Sequence, residues 1–89
     1  MNVAQDIRRR LAALQPLELE LVDESDAHRG HAGHREGGGT HWRLTIVSPA
    51  FAGQSTVARH RLVYRALGEL MQHPIHALAI SARAPEEKG

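Results

Sequence analysis

The chain has 89 residues, seven histidines, no cysteine and a formal net charge of +1. This length suits one small domain. The lack of cysteine excludes disulfides and thiolate metal sites made by this chain alone. The balanced charge argues against a strongly basic nucleic-acid-binding domain. No apolar run approaches the ~20 residues of a membrane span, and the start MNVAQDIRRRLAAL lacks the apolar core of a secretory signal, so we expect a cytoplasmic protein without membrane contacts.

The N-terminal segment predicts a helix and then a strand. Apolar residues recur at helical spacing over 3–14, and the pair Asn2 and Gln5 is typical of a capping box. Residues 17–21 read Leu-Glu-Leu-Glu-Leu, and this strict alternation predicts a strand with its two glutamates in water. The inward-facing residues of this strand are expected to be Leu17, Leu19 and Leu21.

A second alternating segment, 41–47, predicts a strand with Trp42, Leu44 and Ile46 on one face. We expect the two consecutive strands to pair antiparallel, with 23–40 as their connection. That connection is long for a compact domain, contains five glycines and has no large apolar side chain, which is typical of a flexible functional loop. Its histidines are His28, His31 and His34.

The second half of the chain predicts two helical segments and a final strand. Ser48 and Pro49 are typical of a helix start, and Gly53 ends that short turn. Ser55 or Thr56 then caps a longer helix that reaches about Gln72. The buried stripe of this helix is expected to comprise Val57, His60, Val63 or Tyr64, Leu67, and Leu70 or Met71.

The chain ends in a strand and a tail. Residues 75–82 are short and apolar, which predicts a strand, and 83–89 predict a frayed polar tail. The resulting order, α-β-β-α-α-β, predicts a single α+β domain over 1–89. In such a domain the helices pack on one face of a three-stranded sheet.

The histidines at 28, 31 and 34 have two interpretations. Zinc and iron accept neutral imidazole, and a glycine-rich loop can turn two rings onto one ion. The other interpretation is a solvated loop, and the spacing alone favours it because ordering a loop costs ~1–2 kcal/mol per residue. A simple carrier of zinc, copper or nickel would use these three histidines and leave His76 without a role.

Three arginines, Arg59, Arg61 and Arg65, lie on the long predicted helix, with Arg61 and Arg65 on one face. They suit phosphate binding, but the low net charge favours a solvated or ion-paired face. The segment GHAG matches the GxxG loop of KH domains, yet a KH loop joins two helices, and that junction here reads AGQS. No nucleophile motif surrounds a serine, so we expect no enzyme.

Several motifs together resemble the BolA family: DES before the histidine-rich loop, then THWRLTIVSPAFAG, RHRLVY and IHALAI. The resemblance covers about Leu14 to Glu87 and implies a class II KH-like fold. It also implies a monothiol glutaredoxin partner and a [2Fe-2S] cluster shared with that partner and its glutathione. The isolated chain is then expected to be a monomer without a cofactor.

The resemblance also implies which residues act. In such complexes the BolA-like protein supplies the histidine of the I-H-A-L motif, here His76, and a loop residue three positions after the E-S pair, here His28. His31 is an alternative loop ligand. A second role implied by the resemblance is that of a nucleic-acid-binding transcriptional regulator, which would bind DNA weakly through Arg59, Arg61 and Arg65.

Overall fold

The computed structural model describes residues 2–24 and 39–87. Its helices and strands, in chain order, are α1 (Val3–Leu11), β1 (Glu18–Asp23), β2 (His41–Val47), α2 (Thr56–Leu67) and β3 (Ala77–Arg83). Short 3-10 helices lie at Ala12–Leu14, Pro49–Phe51, Gly68–Met71 and Pro85–Glu87. In this part of the chain, no helix is long and apolar enough to cross a membrane.

The central strand of the three-stranded sheet is β2, and the strand order is β1-β2-β3. β1 pairs with β2 antiparallel, with Leu21 opposite Leu44. β3 pairs with the other edge of β2 in parallel, with Leu44 opposite Ile80. The antiparallel hairpin is therefore confirmed, and the parallel pairing brings the N-terminal ends of β2 and β3 together.

The core lies between the two helices and one face of the sheet. Trp42, Leu44 and Ile46 are buried on β2, as the alternation predicts. The helices contribute Ile7 and Leu11 from α1, and Val63 and Leu67 from α2. This arrangement confirms the predicted α+β fold with helices on one face of a three-stranded sheet.

The predicted helix starts are confirmed. The side chains of Asn2 and Gln5 form the capping box at the start of α1. Ser48 caps the 3-10 helix that begins with Pro49, and its buried hydroxyl also donates to the carbonyl of Leu14. Ser55 caps α2.

One inward-facing residue of the first strand was predicted wrongly. The side chain of Leu17 is 64% exposed, whereas Leu19 and Leu21 pack against the core. Leu17 follows the left-handed turn at Gln15 (φ 52°) and precedes the first residue of β1. Its N–H donates to the carbonyl of Val47, which holds its backbone in place. Its side chain lies outside the area of the sheet on which the helices pack.

The buried stripe of α2 was also predicted partly wrongly. Val63 and Leu67 are buried, but Val57 is 59% and Tyr64 is 42% exposed. At about 100° per residue, Tyr64 lies about 100° away from Val63 around the helix and Val57 lies about 120° away in the same direction. Both side chains therefore lie on one exposed side of α2. The regular helix ends at Leu67 rather than near Gln72 because Gly68 caps it with a positive φ of 56°.

The described part of the predicted polar tail is not frayed. Ala84 is fully buried, and the carboxylate of Glu87 accepts two hydrogen bonds from Arg59, at 2.6 and 2.7 Å. The prediction was wrong here because the partner of Glu87 lies on α2, far away in sequence. Residues 88–89 lie outside the described residues.

This ion pair gives an acid-sensitive contribution to stability. The guanidinium of Arg59 and the N–H of Ala84 lower the pKa of Glu87 from 4.5 to about 2. A carboxylate whose pKa falls on folding stabilises the fold above its unfolded pKa, and the stabilisation is lost as the pH drops towards the folded pKa. We expect Glu87→Gln to melt several degrees below the wild type at pH 7, with the gap closing between pH 4.5 and about 2.

The neighbouring substitution Glu86→Gln is the matched control, because it removes the same charge from an exposed position. Its melting temperature should follow the wild type over the same pH range. A gap for Glu87→Gln that stays constant down to pH 2 would contradict the assigned ion pair.

Candidate functional site

His76 lies immediately before β3, and the sheet holds its backbone. Its N–H donates to the carbonyl of Thr40 at 2.7 Å, and the N–H of Ala77 donates to the same oxygen at 3.1 Å. The imidazole is exposed. β3 begins at Ala77, two residues after the predicted strand start at 75, but these two hydrogen bonds extend the ordered backbone to His76.

Two hydrogen bonds join the two ends of the connection between β1 and β2, and we call this pair of bonds the loop neck. The N–H of Glu24 donates to the carbonyl of His41 at 2.8 Å, and the N–H of Gly39 donates to the Asp23 carboxylate at 3.2 Å. Gly39 has a φ of 88°, a conformation that favours glycine, and it lies against the side chain of Val3. Both ends of the connection are thereby fixed beside Thr40 and His76.

The predicted loop ligands lie outside the described residues, because the structure describes nothing between Glu24 and Gly39. This applies to His28, His31 and His34, and to residues 25–38 of the predicted flexible loop 23–40. The structure does show Glu24 and Gly39, the two residues between which this segment runs.

A second histidine, His41, lies beside His76 and was not singled out from the sequence. The centroids of the two rings are 6.2 Å apart and the ring planes are inclined by 59°. The side-chain oxygen of Thr40 is 2.8 Å from Nδ1 of His41. The signal in the sequence was a histidine at the start of each of two strands, but only their parallel pairing brings the two together.

The three arginines of α2 have different surroundings. The side chain of Arg59 is 13% exposed, and besides Glu87 its guanidinium donates to the carbonyls of Gln54 at 2.8 Å and Ala82 at 3.1 Å. Arg61 and Arg65 are exposed on the other face of the helix, as their spacing predicts. The exposed Tyr64 lies between them in sequence.

No group of three or more histidine, aspartate or glutamate side chains within 2–24 and 39–87 is arranged to hold a metal ion. The described part of the candidate site is therefore the His41–His76 pair, Thr40 and the loop neck. Two imidazoles leave room for further ligands on any ion or cluster bound there.

Comparisons with known proteins identify several relatives. A family model described as BolA-like protein matches residues 11–87. BolA-like protein 1 from Mus musculus is 47% identical over 75 residues, which cover 84% of this chain and 52% of that protein. The DNA-binding transcriptional regulator BolA from Escherichia coli (strain K12) is 38% identical over 81 residues, which cover 90% of this chain and 73% of that protein.

A solved structure matches over the whole chain. BolA1 from Arabidopsis thaliana has a TM-score of 0.87 and 40% sequence identity, and the match covers 100% of this chain and 98% of that chain. The chain spans about half the length of the mouse relative.

Proposed function

The chain belongs to the BolA family, and from that membership we propose that it is a non-enzymatic partner of a monothiol glutaredoxin. The two proteins share a [2Fe-2S] cluster, and the pair serves cluster trafficking or iron regulation, which we place in the cytoplasm. The observation that carries this proposal is the Thr40–His76 backbone hydrogen bond. It fixes the backbone of His76, whose imidazole is exposed, next to the point where the histidine-rich segment begins.

The donor chemistry of the chain fits a shared cluster better than one held alone. Such clusters are usually held by four thiolates, and this chain has no cysteine. Histidine can replace cysteine on one of the two irons, and this substitution raises the reduction potential. The chain would thus supply two imidazoles, while the glutaredoxin cysteine and a glutathione thiolate supply the rest.

The two proposed ligands differ in whether their backbones are held in place before a cluster binds. His76 is the fixed ligand because the hydrogen bonds of Thr40 hold its backbone before any cluster arrives. His28 is the loop ligand, with His31 as the alternative. A ligand whose backbone is already ordered loses less conformational entropy on binding, so His76 is expected to contribute more to the lifetime of the cluster.

Co-expression with a monothiol glutaredoxin under anaerobic conditions tests this function. We expect a coloured complex of the two proteins, with a visible circular dichroism spectrum that differs from that of glutaredoxin expressed alone. If the chain elutes colourless and apart from a glutaredoxin whose spectrum is unchanged, the proposal is wrong.

A nucleic-acid-binding regulator is the second candidate, and the exposure of Arg61 and Arg65 beside Tyr64 favours it. The contacts of Arg59 with Glu87, Gln54 and Ala82 assign that residue a structural role. The alternative therefore depends mainly on the two exposed arginines. The relative from Escherichia coli is named as a DNA-binding regulator.

Salt-dependent binding measurements test this alternative. We expect weak DNA binding that Arg61→Ala/Arg65→Ala abolishes, because each lost phosphate contact reduces the slope of log K against log salt by about 0.9. The control Arg8→Ala/Arg9→Ala removes the same charge from exposed positions on α1 and should leave most of the binding. Sub-micromolar, sequence-selective binding at physiological salt would instead favour the regulatory function.

A further inference from the structure

We propose that His41 and His76 form a site for a single divalent transition-metal ion, such as Zn²⁺, Ni²⁺ or Cu²⁺, in the isolated chain. The site is built on the sheet and does not need the loop histidines. It shares His76 with the cluster function proposed above, but it requires neither a cluster nor a glutaredoxin.

The first support is the distance between the two rings. Two imidazoles bound to one ion through bonds of about 2.0–2.1 Å at a tetrahedral angle have ring centroids about 5 Å apart. The centroids of His41 and His76 are 6.2 Å apart. Closing the difference of about 1 Å takes a small side-chain rotation, and the exposed ring of His76 has the room for it.

The second support is that both backbones are already fixed. His41 is the first residue of β2 and lies opposite Ala77 in the parallel register. His76 is held through its N–H by the carbonyl of Thr40. Binding an ion therefore restricts only the two side chains, and no segment of backbone has to be ordered.

The third support is the orientation of His41. Histidines that bind metal usually donate a hydrogen bond from the other ring nitrogen, which fixes the tautomer and the direction of the ring. The side-chain oxygen of Thr40 lies 2.8 Å from Nδ1 of His41, and it accepts such a hydrogen bond when Nδ1 carries the proton. In the tautomer with the proton on Nδ1, Nε2 is the atom that binds the ion. Thr40 thus positions both histidines, one through its side chain and the other through its carbonyl.

The charges next to the pair are compatible with a cation. Arg43 follows His41 on the same face of β2, and the carboxylate of Glu24 accepts a hydrogen bond from it at 2.8 Å. The carboxylate of Asp23 lies at the loop neck, within 3.2 Å of the N–H of Gly39. With two protein ligands, water completes the coordination, so we expect a modest affinity in the micromolar range.

The experiment uses the full chain alone and a background variant, His28→Ala/His31→Ala/His34→Ala, which lacks the loop histidines. Trp42 is the only tryptophan in the chain and is adjacent to His41, so its quenching reports Ni²⁺ and Cu²⁺ binding. Zn²⁺ is titrated in competition with a chromophoric indicator. We expect the background variant to bind one ion per chain.

Further substitutions in that background locate the ligands. His41→Ala or His76→Ala should each weaken binding by about tenfold or more, and Thr40→Val should weaken it less while keeping its carbonyl. His60→Gln is the matched control and should leave the affinity unchanged. Melting curves confirm that each variant folds.

Two results would overturn the proposal. One is a background variant that binds no ion, and the other is a folded His41→Ala form of it with undiminished affinity. Because no glutaredoxin or cluster is present, neither result bears on the visible spectrum that tests the shared cluster.

Discussion

Replacing His76 by alanine is expected to abolish the characteristic visible circular dichroism of the cluster shared with glutaredoxin, or to leave the cluster very labile. Under the proposed function, this residue is the ligand whose backbone is fixed before binding, by its 2.7 Å hydrogen bond to Thr40. Binding between the two apoproteins should persist because contacts outside the cluster remain. The measurements are visible circular dichroism of the anaerobically reconstituted pair and calorimetry of the apoproteins.

The loop histidines are expected to show a graded response. His28→Ala alone should weaken the cluster less than His76→Ala, because His31 can take its place. The double variant His28→Ala/His31→Ala should approach the His76→Ala defect. A loop-only metal site or a structural role for His76 becomes the better interpretation if folded His76→Ala keeps the wild-type spectrum and cluster lifetime.

His60→Gln is a suitable control for these variants. His60 follows Arg59, whose guanidinium contacts the carbonyl of Ala82 towards the C-terminal end of β3. His76 precedes the N-terminal end of the same strand. The control therefore removes a histidine from the opposite end of the strand, and it should leave both the spectrum and the apoprotein affinity unchanged.

Replacing Phe51 by alanine is expected to lower the free energy of unfolding by about 3–5 kcal/mol. Phe51 is fully buried and lies on the 3-10 helix that follows β2. Truncating such a side chain removes its apolar burial and leaves a cavity in the core. The total free energy of unfolding of a small domain is about 5–15 kcal/mol, so this substitution removes a large part of it. Urea unfolding followed by circular dichroism measures the change.

Val57→Ala is the matched comparison for Phe51→Ala. The sequence pattern placed Val57 in the buried stripe of α2, but the structure leaves it 59% exposed. A substitution at such a position usually changes stability by less than about 0.5 kcal/mol. A loss at Val57 as large as that at Phe51 would mean that the sequence pattern, and not the structure, places this side chain correctly.

Local patterns in the sequence predict most of the fold. Helix caps depend on residues three positions apart, as in Asn2 and Gln5, and strand faces depend on alternation, as in Trp42, Leu44 and Ile46. Val57 was placed wrongly because it lies about 120° from Val63 around the helix. Leu17 was placed wrongly because periodicity shows which residues share a face, but not how far the opposing layer extends. Burial at the ends of an element depends on that extent.

The parts that the sequence did not predict depend on contacts between distant residues. Arg59 and Glu87 are 28 positions apart, and only the packed fold brings them together. His41 and His76 lie close together because β2 and β3, which α2 separates in the sequence, pair in parallel. His76 itself was identified from the resemblance to a family rather than from its spacing, since a single histidine beside an apolar row has no specific pattern.

The loop neck has a consequence for how this family can diversify. Its hydrogen bonds involve Asp23, Glu24, Gly39 and His41, all of which lie outside 25–38. In general, doubling the length of a loop between fixed ends costs only about 0.6 kcal/mol in closure entropy. Insertions and deletions between Glu24 and Gly39 can therefore change the reach and the donor atoms of this segment at little cost to the sheet, which leaves ligand choice free to evolve separately from the fold.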